Sequence, residues 1–166
     1  MDIPYLLTEC APTVAPGTLI RIIQQESGGN HLAIGVNGGF RLKRQPRTYQ
    51  EAMSWATWLI EKGYSIDMGL GQINNKNLSY LGLSVETVFK PCDNVRAASR
   101  VLQENYLRAK QRYSDDQTAL RAALSAYNTG SFTAAAGVAY TNRLISIPLT
   151  LPKFATTWEL PRASQR

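Results

Sequence analysis

The chain is predicted to fold as an α+β domain in which helices dominate and a small β-hairpin region is inserted after the first long helix. Three observations point there. Helical spacing recurs: Leu19, Ile22, Ile23 and Glu26 fall at i, i+3, i+4 and i+7, and Leu120, Ala123, Leu124 and Tyr127 repeat the pattern. Between such stretches lie two Gly- and Asn-punctuated segments, Val36-Asn37-Gly38-Gly39-Phe40 and Asp67 to Asn74. Asn-Gly is a strong turn signal for a hairpin. Finally, 166 residues with 44% hydrophobic and 18% charged content suit one domain with a core of its own.

Taken in order, residues 1–15 carry Pro4 and Pro12 with little periodicity and read as an extended lead-in. Pro16 suits a first helical turn, and Ser27-Gly28-Gly29-Asn30 stops the helix it opens. Thr48-x-x-Glu51 is a capping-box pattern opening a helix to about Lys62, with Ala52, Trp55, Ala56 and Leu59 as its stripe. Asp67 to Asn74 reads as a short strand or turn, and a short helix follows Ser84. Asp93 caps a long helix to about Tyr113, Asp115 or Asp116 opens another through Tyr127, and a last helix lies between about Gly137 and Ile147. The domain body is thus residues 16–147. Residues 148–166 hold several prolines without helical period and read as an extended or disordered tail.

Composition excludes several classes. No run of apolar residues is long enough for a membrane-spanning helix. The net charge of +6 favours acidic partners, but the Lys and Arg are scattered without a dense basic run, so nucleic acid is not the expected partner. The N-terminus lacks a secretory signal, which leaves a cytoplasmic protein or an exported one whose signal has been removed. His31 is the only histidine, which argues against a metal site, and no cofactor motif is present. Cys10 and Cys92 are too far apart for a redox or zinc motif; either they are buried thiols or they pair, a closure worth about 4 kcal/mol in the chain-entropy model.

Glu26 is the first candidate for chemistry. A carboxyl at the end of an apolar stripe points to the core side of its helix, where desolvation keeps it protonated near neutral pH, as a general acid requires. Around Leu70, Gly69 and Gly71 allow close backbone approach, and Gln72 and Asn74 supply amides. Tyr127 and Asn128 stand at a helix end before Gly130.

Glu26-Ser27 ending a helix, then Gly69-Leu70-Gly71-Gln72-Ile73-Asn74, then Ala126-Tyr127-Asn128-Thr129-Gly130, resemble in this order the lysozyme-like soluble lytic transglycosylases. Ala33-Ile34-Gly35-Val36-Asn37-Gly38 and Asn77-Leu78 with Leu81-Gly82 are similar to the members that accompany type IV secretion and conjugation machines. The resemblance covers about residues 8–147. It implies a lysozyme-like fold with a glycan cleft between a helical lobe and the hairpin region. It also implies Glu26 as the catalytic acid/base and Ser27 as a supporting hydroxyl. Gly71, Gln72 and Asn74 would line the cleft floor, with Tyr127 and Asn128 beside the acid. Tyr140 matches the family's later tyrosine, although Ala139-Tyr140-Thr141 departs from the usual Gly-Tyr-Val. The family often pairs cysteines placed like Cys10 and Cys92, and it is normally exported, which implies a periplasmic protein with its signal removed.

The implied reaction cleaves the N-acetylmuramic acid to N-acetylglucosamine bond of peptidoglycan and closes a 1,6-anhydro ring, without water, metal or cofactor. Implied partners are glycan strands and type IV secretion components. One rival reading is a goose-type-like lysozyme, which needs a second carboxylate, with Asp67 as the candidate. Another is a non-catalytic peptidoglycan-binding module.

Overall fold

A computed structural model describes residues 3–149. The expected tail falls almost wholly outside these residues. Helices form most of the fold: α1 (Ile3–Cys10), α2 (Pro16–Ser27), α3 (Tyr49–Glu61), α4 (Val85–Val88), α5 (Pro91–Lys110), α6 (Asp116–Thr129) and α7 (Ala135–Ser146). Three short strands, β1 (Ile34–Val36), β2 (Ile66–Met68) and β3 (Ile73–Asn74), make one antiparallel sheet in the order β1-β2-β3. The predominantly helical α+β class is therefore as expected.

Local signals explain most boundaries. α2 begins at Pro16, whose missing N–H is no loss in a first turn, and ends at Gly28. Thr48 caps α3 by accepting from the Glu51 amide at 3.1 Å, while the Glu51 carboxylate reaches back to the Arg47 amide at 2.9 Å. Asp115 caps α6 through the Thr118 amide at 2.8 Å. α5 starts at Pro91, two residues before the expected Asp93 cap, again with proline in the first turn.

Two expectations need correction. The lead-in is not extended, because Ile3–Cys10 is helical. Ile3, Leu6, Leu7 and Cys10 lie at i, i+3, i+4 and i+7 and are all buried, and Pro4 sits in the first turn, where it breaks no hydrogen bond. Burial of this face against the domain body outweighs the weak propensity of so short a helix. The boundary at Pro16 accordingly separates nothing: α1 shares a core with α2, α5, α6 and α7. The second correction concerns the sheet. Asn37-Gly38 closes no local hairpin; β1 pairs with β2 on the far side of α3, Ile34 opposite Met68 and Val36 opposite Ile66. The tight connection is the one from β2 to β3, with Asp67 opposite Asn74 and Met68 opposite Ile73.

Among the described residues two large apolar clusters result, with a small third one of Ala109, Ala119 and Ala122. Leu6, Leu7, Leu19, Ile22, Ile23, Leu124 and Leu144 centre the first, in the helical half. Ile34, Ala52, Leu59, Ile66, Met68 and Phe89 centre the second, beneath the sheet and α3. Leu70 belongs to the first, and Tyr127 packs against both, so the β2–β3 turn and α6 join the halves. Cys10 and Cys92 form a disulfide that ties α1 to α5.

Candidate active site

The site forms where the end of α2 meets the β2–β3 turn. Glu26 lies one residue from the end of α2, on the face that carries Leu19, Ile22 and Ile23, so its carboxyl is carried into the helical half. Burial raises its pKa to about 7 from the ordinary 4.5; the Tyr140 hydrogen bond pulls the value down, and the charge of Asp67 pushes it up. Tyr140, on α7, is 2% exposed and donates its phenol to Glu26 Oε1 at 2.7 Å. Burial and the neighbouring Glu26 push the Tyr140 phenol far above its ordinary range, so it remains a donor. Burial thus brings the titration of this carboxyl toward neutral pH, and Tyr140 holds its Oε1.

Ser27 braces this helix end. Its hydroxyl lies 2.8 Å from the Leu70 carbonyl and 3.1 Å from the Ile23 carbonyl, and accepts from the Gly29 amide at 3.2 Å. The expected supporting hydroxyl therefore fastens α2 to the β2–β3 turn. Tyr127 does the same from α6, donating to the Gly71 carbonyl at 2.6 Å. Burial raises its pKa well above the ordinary value, with Glu26 and Asp67 adding to the effect.

The turn between them is packed against α5. Asn94, fully buried, accepts from the Gly71 amide at 2.7 Å and donates to the carbonyls of Met68 at 2.9 Å and Val88 at 2.7 Å. Gly69 and Gly71 permit this approach: a Cβ at Gly69 would stand 2.2 Å from Asn94 Nδ2, and one at Gly71 2.7 Å from the Ala98 Cβ. Gln72 adopts a left-handed backbone at φ 52°, uncommon for a residue with a side chain. Its amide donates to the carbonyls of Gly69 at 3.0 Å and Ala33 at 3.2 Å, linking the turn to the segment before β1.

Asp67 occupies the middle of β2. One of its oxygens accepts from Asn74 Nδ2 at 2.9 Å and the other from Asn37 Nδ2 at 3.1 Å. Ser65 accepts from the same two amides, at 2.9 Å from Asn74 and 3.3 Å from Asn37. Asn74 therefore holds a carboxylate and is not simply a lining amide.

Of the residues expected from sequence, Glu26, Ser27, Gly71, Tyr127 and Tyr140 form one connected group, with Gln72 and Asn74 on the adjoining sheet side. Asn128 is exposed in the last turn of α6. Asn94 and Asn37 were missed. Asn94 lies on the buried face of α5 beside Val95, Ala97 and Ala98, and a polar side chain at that position of the stripe was the available signal.

The geometry is that of a partly buried carboxyl held by one tyrosine, Tyr140. The transglycosylase SLT domain family matches residues 6–146. The chain belongs to that family. This SLT domain is 44% identical over 134 residues to the type IV secretion system protein virB1 of Brucella abortus, covering 79% of the chain and 56% of the relative. It is 39% identical to the protein virB1 of Agrobacterium fabrum, covering 75% of the chain and 50% of the relative. With protein virB1 of Rhizobium radiobacter the identity is 37%, over 79% of the chain and 54% of the relative. The SLT domain thus spans about half the length of the curated relatives it matches. No solved structure gives a significant match. No helix among the described residues is long and apolar enough to cross a membrane.

Proposed function

We propose that this SLT domain is a periplasmic lytic transglycosylase that opens peptidoglycan for a type IV secretion apparatus, with Glu26 as its one acid/base. The observation that carries the reading is the state of Glu26: a partly buried carboxyl with a pKa of about 7, held by Tyr140. Such a group can give up a proton and take one back at neutral pH, which suits general acid and general base catalysis by one residue.

In the proposed course, Glu26 protonates the glycosidic oxygen between N-acetylmuramic acid and N-acetylglucosamine. The C1–O bond breaks, and the 2-acetamido group stabilises the positive charge at C1. The Glu26 carboxylate then takes the proton from the muramyl 6-hydroxyl, whose oxygen bonds to C1 and closes the 1,6-anhydro ring. Glu26 ends protonated, as it began, and no water is consumed. Tyr140 favours the ionised intermediate by donating to Glu26 Oε1, so it eases the first proton transfer while burial opposes it. Gly71, Gln72 and Asn74 form the cleft floor in this reading, and Asn128 stands at its rim.

A hydrolytic mechanism would use Asp67 as the second carboxylate. Against that role, both Asp67 oxygens accept hydrogen bonds from Asn37 and Asn74, an arrangement that suits a fixed charge better than a base activating water. The secretion assignment is supported by the similarity to the type IV secretion system protein virB1 of Brucella abortus.

Mass spectrometry of purified peptidoglycan digested by the chain and by Glu26→Gln tests the chemistry. Anhydro-muropeptides, lighter by one water than hydrolytic products, are expected from the wild type and not from the variant. Reducing-end products would transfer the case to hydrolysis.

A further inference from the structure

Beyond the Glu26 site, the segment joining β1 to α3 and the outer face of α3 form a second surface with its own chemistry. Residues 41–47 read Arg-Leu-Lys-Arg-Gln-Pro-Arg, and Arg41, Lys43, Arg44 and Arg47 are all exposed. Arg44 pairs with Glu51 at 2.5 Å, whereas Arg41 and Lys43 make no ion pair among the described residues. On α3, Trp55 and Trp58 are 37% and 43% exposed, their rings edge to face with centroids 5.8 Å apart. Trp55 separates two hollows. One, of about 600 Å³, is lined by Gln50, Glu51, Ser54 and Trp58; the other, of about 440 Å³, by Phe40, Arg41, Lys43 and Arg44.

This surface is held in place. Gln45 accepts from the Ile34 amide at 2.8 Å and donates to the Ile34 carbonyl at 3.0 Å, as a neighbouring strand would. Pro46 is buried, and the Arg47 amide is fixed on Glu51 at 2.9 Å. The segment begins at Asn37, the residue that holds Asp67, so it leads directly from the edge of the Glu26 site to the tryptophans.

Neighbouring exposed tryptophans keep a large apolar area in water, and such patches mark places where another molecule docks. Indole faces stack on the C–H faces of sugar rings, while Gln50 and Ser54 offer partners to sugar hydroxyls. Arg41 and Lys43 call for carboxylates. Peptidoglycan carries both groups, pyranose rings in the strand and carboxylates on its peptide stems.

We propose that this surface is a second peptidoglycan-binding site, with sugar rings on Trp55 and Trp58 and stem-peptide carboxylates on Arg41 and Lys43. It rests on the cell-wall reading above but is independent of what Glu26 does. It would keep the domain on the wall while the Glu26 site engages a strand.

The test is co-sedimentation with intact sacculi in a Glu26→Gln background, so that the wall is not digested. Two double variants are compared, Trp55→Ala with Trp58→Ala, and Arg41→Glu with Lys43→Glu. Circular dichroism melts check that each is folded; all four positions are exposed, so the fold is expected to persist. Each pair should weaken binding about tenfold, as loss of interface anchors does. On sacculi whose carboxylates have been converted to neutral amides with a carbodiimide and an amine, which leaves the cross-links intact, the charge variant should bind as its parent does, and the tryptophan variant should remain weak. Folded variants that both sediment like the parent overturn the proposal and leave this face to a protein partner. A charge effect that survives amidation of the carboxylates overturns the carboxylate assignment. Failure of the preceding reading is seen elsewhere: wild-type protein that binds sacculi through this face yet releases no anhydro product refutes the chemistry and not the site.

Discussion

Glu26 sits at the end of a helix in the helical half of the molecule, and Asp67 in the middle of a strand in the sheet half. Their surroundings treat the two carboxyls differently. Glu26 is desolvated and receives one phenol hydrogen bond, from Tyr140, with the result that its pKa rises to about 7. Asp67 receives amide hydrogen bonds on both oxygens, from Asn37 and Asn74. The helical half therefore supplies a group that can move a proton, and the sheet half a charge that acts on it across the site. The two acidic side chains thus differ in their surroundings, one desolvated beside a single phenol and the other bonded by amides on both oxygens.

Glu26→Gln should break this comparison most severely. Cleavage should fall about 10²- to 10⁴-fold, the usual contribution of a general acid, as measured by muropeptide release. The same variant should gain stability. Because the folded pKa lies near 7 and the unfolded one near 4.5, the folded state binds the proton more tightly. The stabilising contribution is complete below the unfolded value and is lost as pH rises through about 7. At pH 8 the wild type holds a partly desolvated carboxylate, and Glu26→Gln should be more stable by about 2 kcal/mol in urea titration.

Asn94→Ala tests the junction between the halves. It leaves the Gly71 amide and the carbonyls of Met68 and Val88 without their buried partner. A loss of about 3 kcal/mol is expected by denaturant unfolding, together with reduced cleavage despite an intact Glu26.

Tyr140→Phe sharpens the helical side. The phenol hydrogen bond lowers the Glu26 pKa, so its removal should move the corresponding limb of the pH–rate profile upward. Asp67→Asn should move that limb the other way, downward, and by less, because the Asp67 charge is the smallest of the three influences on Glu26. A collapse of activity in Asp67→Asn, in place of a shifted profile, would mean that the sheet half also supplies a reacting group.

Much of the helical half was legible in the sequence, because a buried stripe on α2 and on α6 leaves a period that can be read directly. Glu26 could be picked out for the same reason: it continues a stripe of apolar residues. α1 was hidden by its length and by Pro4, which look like an extended segment until something is present to bury Leu6 and Leu7. The sheet was less legible still. β1 finds its partner only after the whole of α3, and Asn37-Gly38 carries a local turn signal that the tertiary pairing overrides. The contacts that set the chemistry are longer in range: Tyr140 reaches Glu26 across 114 residues, and Tyr127 reaches Gly71 across 56. Family resemblance marked Tyr140 as a site residue, but only the packing of α7 on α2 gives it the Glu26 carboxyl as its partner.

The most direct measurement is titration of the Glu26 side-chain carboxyl by ¹³C NMR, assigned by comparison with Glu26→Gln. A midpoint near 7 is expected, rising in Tyr140→Phe. A midpoint near the ordinary 4.5 would contradict the claim that burial keeps this one carboxyl protonated for catalysis.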